Sequence, residues 1–405
     1  MTLSRPILVA AAICLCSCAQ AVFSPAANCE PVASKMTGLQ RENHESLWER
    51  YNKFGKKALD GADYERAKLM FELALIEAKK NQGDESRSGS DLSLKIAAAT
   101  NNLAEAHRLC GEYKEAETLF KEALGLKEKA LGEENMSVAN TLNNLAVLYQ
   151  NVANYPEAER LYKKALAIEE KVSSQENAPI ASSLNNLAAF YDQQGRYAEA
   201  EAMYKRSLSI KERLLGPSHR DTASCVSNLG LLYLHKKEYD KAESFYKRAL
   251  NIRETTLGPS HPLVAAEMSH LAELYRIEKK YDKAEPLLEK AMGLYEKKLG
   301  INNLDAAMCM LNLGCLYRDE GKFKKAEPLF RRTLGVRDRL LGPSHPETLT
   351  ALKDYSNILK KLSREKEAKE LDAKYKRLKD QAEKDAKTGR QKLKPKVRAS
   401  ERNLD

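Results

Sequence analysis

The sequence is poor in the residues and motifs on which catalysis, metal binding and covalent cross-linking usually depend. It has one tryptophan among 405 residues, and only five of its eight cysteines lie beyond residue 21. Those five are odd in number and include no Cys-x-x-Cys pair, which disfavours a disulfide framework and a zinc site. No phosphate-binding loop, zinc-protease, serine-hydrolase or dinucleotide-binding motif occurs. We therefore expect a protein that is not an enzyme and that binds no metal or cofactor.

Long apolar runs are also scarce, and the one present lies at the N-terminus. Arg5 precedes a mostly apolar stretch, Ile7 to Cys18, which is too short to span a bilayer and typical of a secretory signal. Ala19-Gln20-Ala21 follows it as a cleavage site and predicts a signal peptide over residues 1–21. The segment Leu15–Cys18 instead resembles a bacterial lipobox, which predicts lipidation of Cys18 and membrane attachment. Both alternatives predict an exported protein, periplasmic or secreted.

Positive charge is in excess only near the C-terminus. The formal net charge is +10, but residues 360–405 hold 17 Lys/Arg against nine Asp/Glu and so account for eight of those charges. The remainder of the chain is nearly neutral, which argues against nucleic acid as the partner of the main domain. Residues 383–405 are predicted to be a basic, disordered tail.

What the sequence does contain is a repeat of 42 residues. A leucine within closely similar heptapeptides recurs at this interval: Leu103, Leu145, Leu187, Leu229, Leu271 and Leu313. An aromatic residue follows each leucine by ten positions: Tyr113, Tyr155, Tyr197, Tyr239, Tyr281 and Phe323. A fixed period of this length indicates stacked supersecondary units.

Each repeat has the pattern of two amphipathic helices. Leu142, Leu145 and Tyr149 form one apolar stripe at helical spacing, and after a short break Ala158 and Leu161 begin a second. Neither helix buries its stripe alone, so each pair needs a neighbouring pair on both sides. The repeat predicts an all-α solenoid of about eight helical hairpins over residues 46–382, preceded by a linker over residues 22–45.

The repeated phrases resemble those of the tetratricopeptide repeat. The 42-residue period and the phrases LNNLAxLY and LGPSHP, as at 341–346, are similar to the kinesin light chain type of this repeat. The resemblance implies a right-handed superhelical stack of helix-turn-helix units that binds a protein or peptide in its concave groove. The histidines of the LGPSH phrases recur one repeat apart or more, too far for shared metal coordination, and are interpreted as helix-start residues.

A helical wheel places the candidate ligand-binding residues on the first helix of each repeat, opposite its apolar stripe. The resemblance assigns peptide-backbone contacts to the first-helix asparagines, whose carboxamides both donate and accept hydrogen bonds. Asparagines one position later, such as Asn144 and Asn228, are expected to have a structural role. The predicted groove residues are Asn101, Asn143, Asn185, Gln150, Gln193, Leu231 and Leu234 as an apolar anchor site, and Arg276 and Arg318 for an acidic group.

The sequence thus predicts an exported, non-enzymatic scaffold that binds a peptide segment or a partner protein. The alternative is an envelope-attached assembly protein that acts through its convex face and basic tail on an anionic polymer or lipid. The two hypotheses differ in salt dependence, because attraction between exposed charges weakens steeply with ionic strength.

Overall fold

The computed structural model describes residues 46–60, 63–80, 89–300 and 302–388, and these residues form sixteen α-helices and no strand. The predicted leader with Cys18, the linker and residues 389–405 lie outside the described part. The helices are α1 Leu47–Asp60, α2 Tyr64–Lys80, α3 Gly89–Leu109, α4 Tyr113–Leu131, α5 Met136–Asn151, α6 Tyr155–Val172, α7 Ala178–Gln193, α8 Tyr197–Leu215, α9 Arg220–His235, α10 Tyr239–Leu257, α11 Pro262–Ile277, α12 Tyr281–Leu299, α13 Leu304–Asp319, α14 Phe323–Leu341, α15 Pro346–Lys361 and α16 Glu365–Thr388.

The helices are arranged as eight consecutive hairpins. The first helix of each unit from α1 to α13 packs most extensively against the second helix that follows it, and each second helix packs next against the first helix of the following unit. In the last unit α15 packs about equally against α14 and α16. Such contacts between sequence neighbours define a solenoid. The all-α solenoid predicted from the 42-residue period is therefore confirmed.

The LGPSH phrases end one unit and begin the next. Gly216, Gly258 and Gly342 have φ between 83° and 94°, a left-handed conformation that glycine adopts without strain and that ends the long second helix. The histidines three positions on are N-caps. Nδ1 of His219 and of His261 accepts a hydrogen bond, at 3.2 Å, from the backbone N–H two residues later. This agrees with their interpretation as helix-start residues.

The core is a continuous column of small and aromatic side chains between neighbouring hairpins. Alanines such as Ala146 and Ala165 are fully buried and let the helices approach closely. At Gly230 the approach is closer still, since a Cβ there would lie 2.8 Å from the buried ring of Tyr246. Tyr149 crosses to the preceding second helix, where its hydroxyl donates to Glu117 at 2.8 Å, and equivalent tyrosines repeat this bond in the next four units.

One position of the second helix carries buried charges in several units. Lys127, Glu169, Arg253 and Arg337 are equivalent residues at multiples of 42, and each is less than 9% exposed. Among the described residues the partners of Lys127 are neutral, Thr141 Oγ1 at 2.8 Å and the Ser137 carbonyl at 3.2 Å. Burial therefore lowers the pKa of Lys127 to about 8.

Lys127→Met is expected to stabilise the protein. The substitution keeps the length of the side chain and removes a charge whose desolvation opposes folding, so we expect a gain of about 1–3 kcal/mol in the free energy of unfolding at pH 7. The folded pKa is below the unfolded value of 10.5, so the charge penalty is complete below pH 8 and disappears as the pH rises to 10.5. Urea titrations at pH 7 and pH 10 check this; an equal gain at both pH values would contradict it.

Candidate protein-binding face

The candidate site is the side of the first helices that carries the predicted groove residues, called here the first-helix face. Stacking brings equivalent positions of α3, α5, α7, α9, α11 and α13 into one row, because each first helix lies beside the next. Hydrogen bonds between side chains 40 or 43 residues apart join neighbouring first helices directly. The predicted residues are therefore parts of a connected surface, in addition to being at equivalent positions.

Asparagine side chains form a carboxamide ladder along this face, defined by three bonds. Asn144 Nδ2 donates to Asn101 Oδ1 at 3.3 Å, and Asn228 Nδ2 donates to Asn185 Oδ1 at 2.9 Å. In the first unit Asn102 donates to Asn52 at 3.0 Å. The second asparagine of each pair thus holds the first asparagine of the preceding unit, which supports the structural role expected for Asn144 and Asn228.

The ladder determines whether the carbonyl oxygen or the amino group of a first-helix asparagine is available to a ligand. The carbonyl oxygens of Asn101 and Asn185 accept from the next unit, whereas their amino groups form no hydrogen bond within the described part of the chain. Both side chains are partly exposed. They therefore present N–H donors to solvent and would recognise an acceptor, such as a peptide carbonyl, more readily than a donor.

Asn143 has a different environment from its two equivalents. It is 6% exposed, and its Nδ2 donates to Ser183 Oγ at 2.6 Å. Burial raises the pKa of the nearby Glu169 against the lowering effect of Ser183. The Asn143 carbonyl oxygen is buried and has no partner among the described residues. Asn143 consequently belongs more to the interface between units than to the open face.

A second row of polar pairs runs beside the ladder, again between residues 43 apart. Gln150 donates to Gln193 and also accepts from the Tyr162 hydroxyl at 2.9 Å. One unit further on, Asp192 and His235 Nδ1 are 2.8 Å apart. Gln150 and Gln193, predicted separately from the helical wheel, are thus brought into direct contact.

The two predicted arginines already have acidic partners within the fold. Arg276 forms ion pairs with Glu273 at 2.7 Å and with Asp319, and Arg318 lies 2.9 Å from Asp319. The side chain of Arg276 is 14% exposed and that of Arg318 is 29% exposed. An acidic ligand group would therefore compete with Asp319, and Arg318 is the more accessible of the two.

Leu231 and Leu234 are 7% and 5% exposed, so they pack within the stack and offer little surface to an apolar anchor.

Nearby is a polar cluster that the sequence reasoning missed. Glu267 is fully buried, accepts from Ser227 Oγ at 2.7 Å, and lies 2.7 Å from Arg253 Nε. Burial raises the pKa of Glu267, but the Arg253 charge and nearby hydrogen bonds lower it by a larger amount, so the pKa lies below its ordinary value.

The described helices lack the features of metal-binding and membrane-spanning proteins. They contain no group of three or more His, Cys, Asp or Glu residues able to hold a metal ion. No helix in this part of the chain has both the length and the apolar character needed to cross a bilayer. Its four cysteines are free thiols, and burial raises the pKa of the Cys315 thiol to about 12 against the opposing effect of Arg318 and Arg276.

Comparison with solved structures shows similar helical arrays of low sequence identity. The structure of BtubC (BKLC) from P. vanneervenii is 21% identical, with 64% of this chain and 95% of that chain covered and a TM-score of 0.44. A putative kinesin light chain from Podospora anserina, with nearly identical TPR-like repeats, is 22% identical, with 51% and 98% covered and a TM-score of 0.42. Aspartyl phosphate phosphatase F from Bacillus subtilis is 14% identical, with 85% and 96% covered and a TM-score of 0.50.

Comparison of sequences identifies the family. Curated proteins gave no match. The tetratricopeptide repeat profile, in contrast, matches residues 95–171, 179–255, 226–297, 262–339 and 317–380, and a second profile of the same description matches residues 143–213. These matches span well over half of the chain and agree with the helical hairpins. The chain belongs to the tetratricopeptide repeat family.

Proposed function

We propose that the protein is an exported, non-enzymatic scaffold that binds an extended segment of a partner protein along the first-helix face. The observation that carries this proposal is the orientation of the carboxamides. The ladder bonds to Asn101 and Asn185 use the carbonyl oxygens of these side chains, and no hydrogen bond within the described residues uses their amino groups, which are therefore available to a ligand. Export is proposed from the N-terminal leader sequence alone.

The chemistry of the face favours a peptide backbone over a small charged ligand. The donors of Asn101 and Asn185 are neutral and lie two repeats apart, on α3 and α7, in one row of first helices. An extended chain offers carbonyl oxygens at regular intervals, so it can reach donors from several repeats at once. A compact ligand would contact the donors of one unit only. The further predicted residues that remain partly exposed and can contact ligand side chains are Gln150, Gln193, Arg276 and Arg318.

The Asn185→Asp variant separates ligand binding from stacking. An aspartate keeps the oxygen that accepts from Asn228 and replaces the free amino group with an acceptor. We expect the free energy of unfolding to change by no more than about 0.5 kcal/mol, whereas binding of a carbonyl-presenting peptide weakens by about 1–3 kcal/mol. A 12-residue peptide selected from a random display library is a suitable probe, with affinities measured by isothermal titration calorimetry.

Two controls accompany this measurement. Asn228→Ala removes the ladder bond while leaving Asn185 in place, so it should lower stability more than Asn185→Asp does. Deletion of residues 386–405 should leave peptide affinity nearly unchanged. If the tail deletion abolishes binding while Asn185→Asp has no effect, the function lies in the basic tail, as the alternative of an envelope-attached assembly protein requires.

A further inference from the structure

The first hairpin carries an exposed apolar stripe that the other hairpins lack. Leu69 and Ile76 on α2 are 51% and 52% exposed, and Leu73, which is only partly exposed, lies between them at helical spacing. They point away from the buried side of α2, which is formed by Ala67, Phe71, Ala74 and Ala78. We call Leu69, Leu73 and Ile76 the α2 stripe.

Comparison with equivalent positions shows that the stack does not require this stripe. Phe71 packs against Gly55 as Tyr246 packs against Gly230 and Phe330 against Gly314, which sets the correspondence between units. Each of the three stripe positions is then charged, polar, alanine, glycine or proline in all later second helices through α14. The residues are Thr118, Arg160, Ala202, Ser244, Pro286 and Pro328 for Leu69; Glu122, Lys164, Arg206, Arg248, Lys290 and Arg332 for Leu73; and Gly125, Ala167, Ser209, Asn251, Gly293 and Gly335 for Ile76. A contiguous apolar patch confined to one unit is typical of an interaction surface.

The charges beside the stripe indicate what covers it. Glu65 and Lys79 lie along one flank of α2, and Arg66 and Glu77 lie along the other. In an antiparallel pair of α2 helices related by a two-fold axis, each flank faces the same flank of the partner with the direction reversed. Glu65 then faces the partner's Lys79, and Arg66 faces the partner's Glu77.

In this arrangement the contact between apolar side chains and the two ionic contacts are centred at nearly the same point along α2. Leu69 faces the partner's Ile76 when the two-fold axis passes close to residue 72, and the two ionic pairs are centred within one residue of that point. One register thus satisfies the apolar stripe and both flanks. An anionic lipid surface would require basic residues on both flanks, whereas one flank of α2 carries Glu65, Glu72 and Lys79 and the other carries Arg66 and Glu77.

We propose that the protein self-associates as a two-fold symmetric dimer through the α2 stripe, in an antiparallel pair of α2 helices. The charged side chains have exposed partners within the chain, such as Glu122 at 4.0 Å from Lys79 and Lys80 at 3.2 Å from Glu77, and Glu65 also contacts the partly buried Lys68 at 3.0 Å. Exposed ion pairs of this kind contribute little and exchange readily. The first-helix face lies on other helices, so the α2 pairing uses none of its residues.

Sedimentation equilibrium of the whole chain at loading concentrations from about 1 to about 200 μM tests the proposal. We expect a dissociation constant of about 10–100 μM, the order of magnitude for a small interface. Leu69→Ser with Ile76→Ser introduces residues of the kind found in other units and should weaken dimerisation at least about tenfold. Leu299→Ser, at a leucine of similar exposure (47%), is the matched control and should have no effect.

A charge exchange supports or overturns the proposed register. Glu65→Lys and Lys79→Glu should each weaken the dimer by about three- to tenfold, since both place like charges opposite each other twice in the dimer. The double variant Glu65→Lys with Lys79→Glu should restore the original affinity. Glu72 faces its own copy near the axis, so Glu72→Gln should strengthen the dimer. These surface variants remain informative if the serine variant fails to fold.

Several outcomes overturn the proposal. A mass of one chain throughout the concentration range excludes the dimer. A dimer that is insensitive to the serine and charge variants lies on another surface. Binding of the monomer to phosphatidylglycerol vesicles that depends on Leu69 and Ile76, without self-association, would assign the stripe to a lipid surface instead.

Discussion

Glu267→Ala is expected to lower the free energy of unfolding by about 3–5 kcal/mol, because the variant leaves the Arg253 guanidinium buried without its counter-charge. Both side chains are almost fully buried, at 4% exposure for Arg253 and 0% for Glu267. Ser227 loses the acceptor of its hydrogen bond at the same time. Urea unfolding at pH 7, monitored by circular dichroism, measures the change.

The matched control is the double variant Arg253→Met with Glu267→Leu. Replacing a buried ion pair by apolar side chains of similar volume is often neutral or stabilising, so the double variant should be clearly more stable than Glu267→Ala. Equal losses in the single and double variants would show that the apolar volume at this interface, and not the ion pair, determines the result.

The same pair makes a pH-dependent contribution to stability. The pKa of Glu267 is lowered from its ordinary value of 4.5, because the Arg253 charge, the His270 contact and the Ser227 hydrogen bond together outweigh the raising effect of burial. A lowered folded pKa means that this stability is complete above pH 4.5 and is lost as the pH falls through the folded value.

Tyr162→Ala is the second substitution with a large expected effect, a loss of about 3–5 kcal/mol in the free energy of unfolding. The side chain is 2% exposed, its ring centroid lies 5.8 Å from that of Phe190, and its hydroxyl donates to Gln150. The variant therefore loses apolar burial and an aromatic contact, and it also removes a hydrogen bond from the second polar row of the first-helix face.

Tyr155→Ala provides a comparison at the start of the same helix. Tyr155 is 40% exposed, and its ring lies 6.3 Å from the same Phe190. We expect a loss below about 1.5 kcal/mol, attributable mainly to its aromatic contact. Similar losses for the two tyrosines in thermal or urea unfolding would contradict the assignment of the core to the alanine- and tyrosine-lined interior of the hairpins.

The fold could be predicted because the information is local and repeated. The leucine at position 145 recurs with similar neighbours in six of the eight units, and a stripe of this kind can be buried only against an adjacent hairpin. The histidines of the LGPSH phrases were also interpretable from local sequence. The side chain of His219 caps the helix that immediately follows it, so only a few residues determine its role.

The candidate site was less predictable because its contacts cross between units. A helical wheel assigns Asn143 and Asn185 to the same face, but only packing against the next first helix buries Asn143 and leaves Asn185 partly exposed. The wheel likewise does not show that neighbouring units cover Leu231. The contact of Asn52 with Asn102 was hidden because the first unit is seven residues out of phase, which changes the usual separation of 43 residues to 50.

Photo-crosslinking from defined positions tests the binding-face proposal most directly. Benzoylphenylalanine is placed at Gln193 on the first-helix face or at Asn251 on the exposed side of α10, and each protein is irradiated with the peptide selected from the display library. We expect a covalent adduct from position 193 that excess unlabelled peptide suppresses, and no adduct from position 251. Adducts from position 251 alone would place the ligand on the exposed side of α10 and contradict the proposed site.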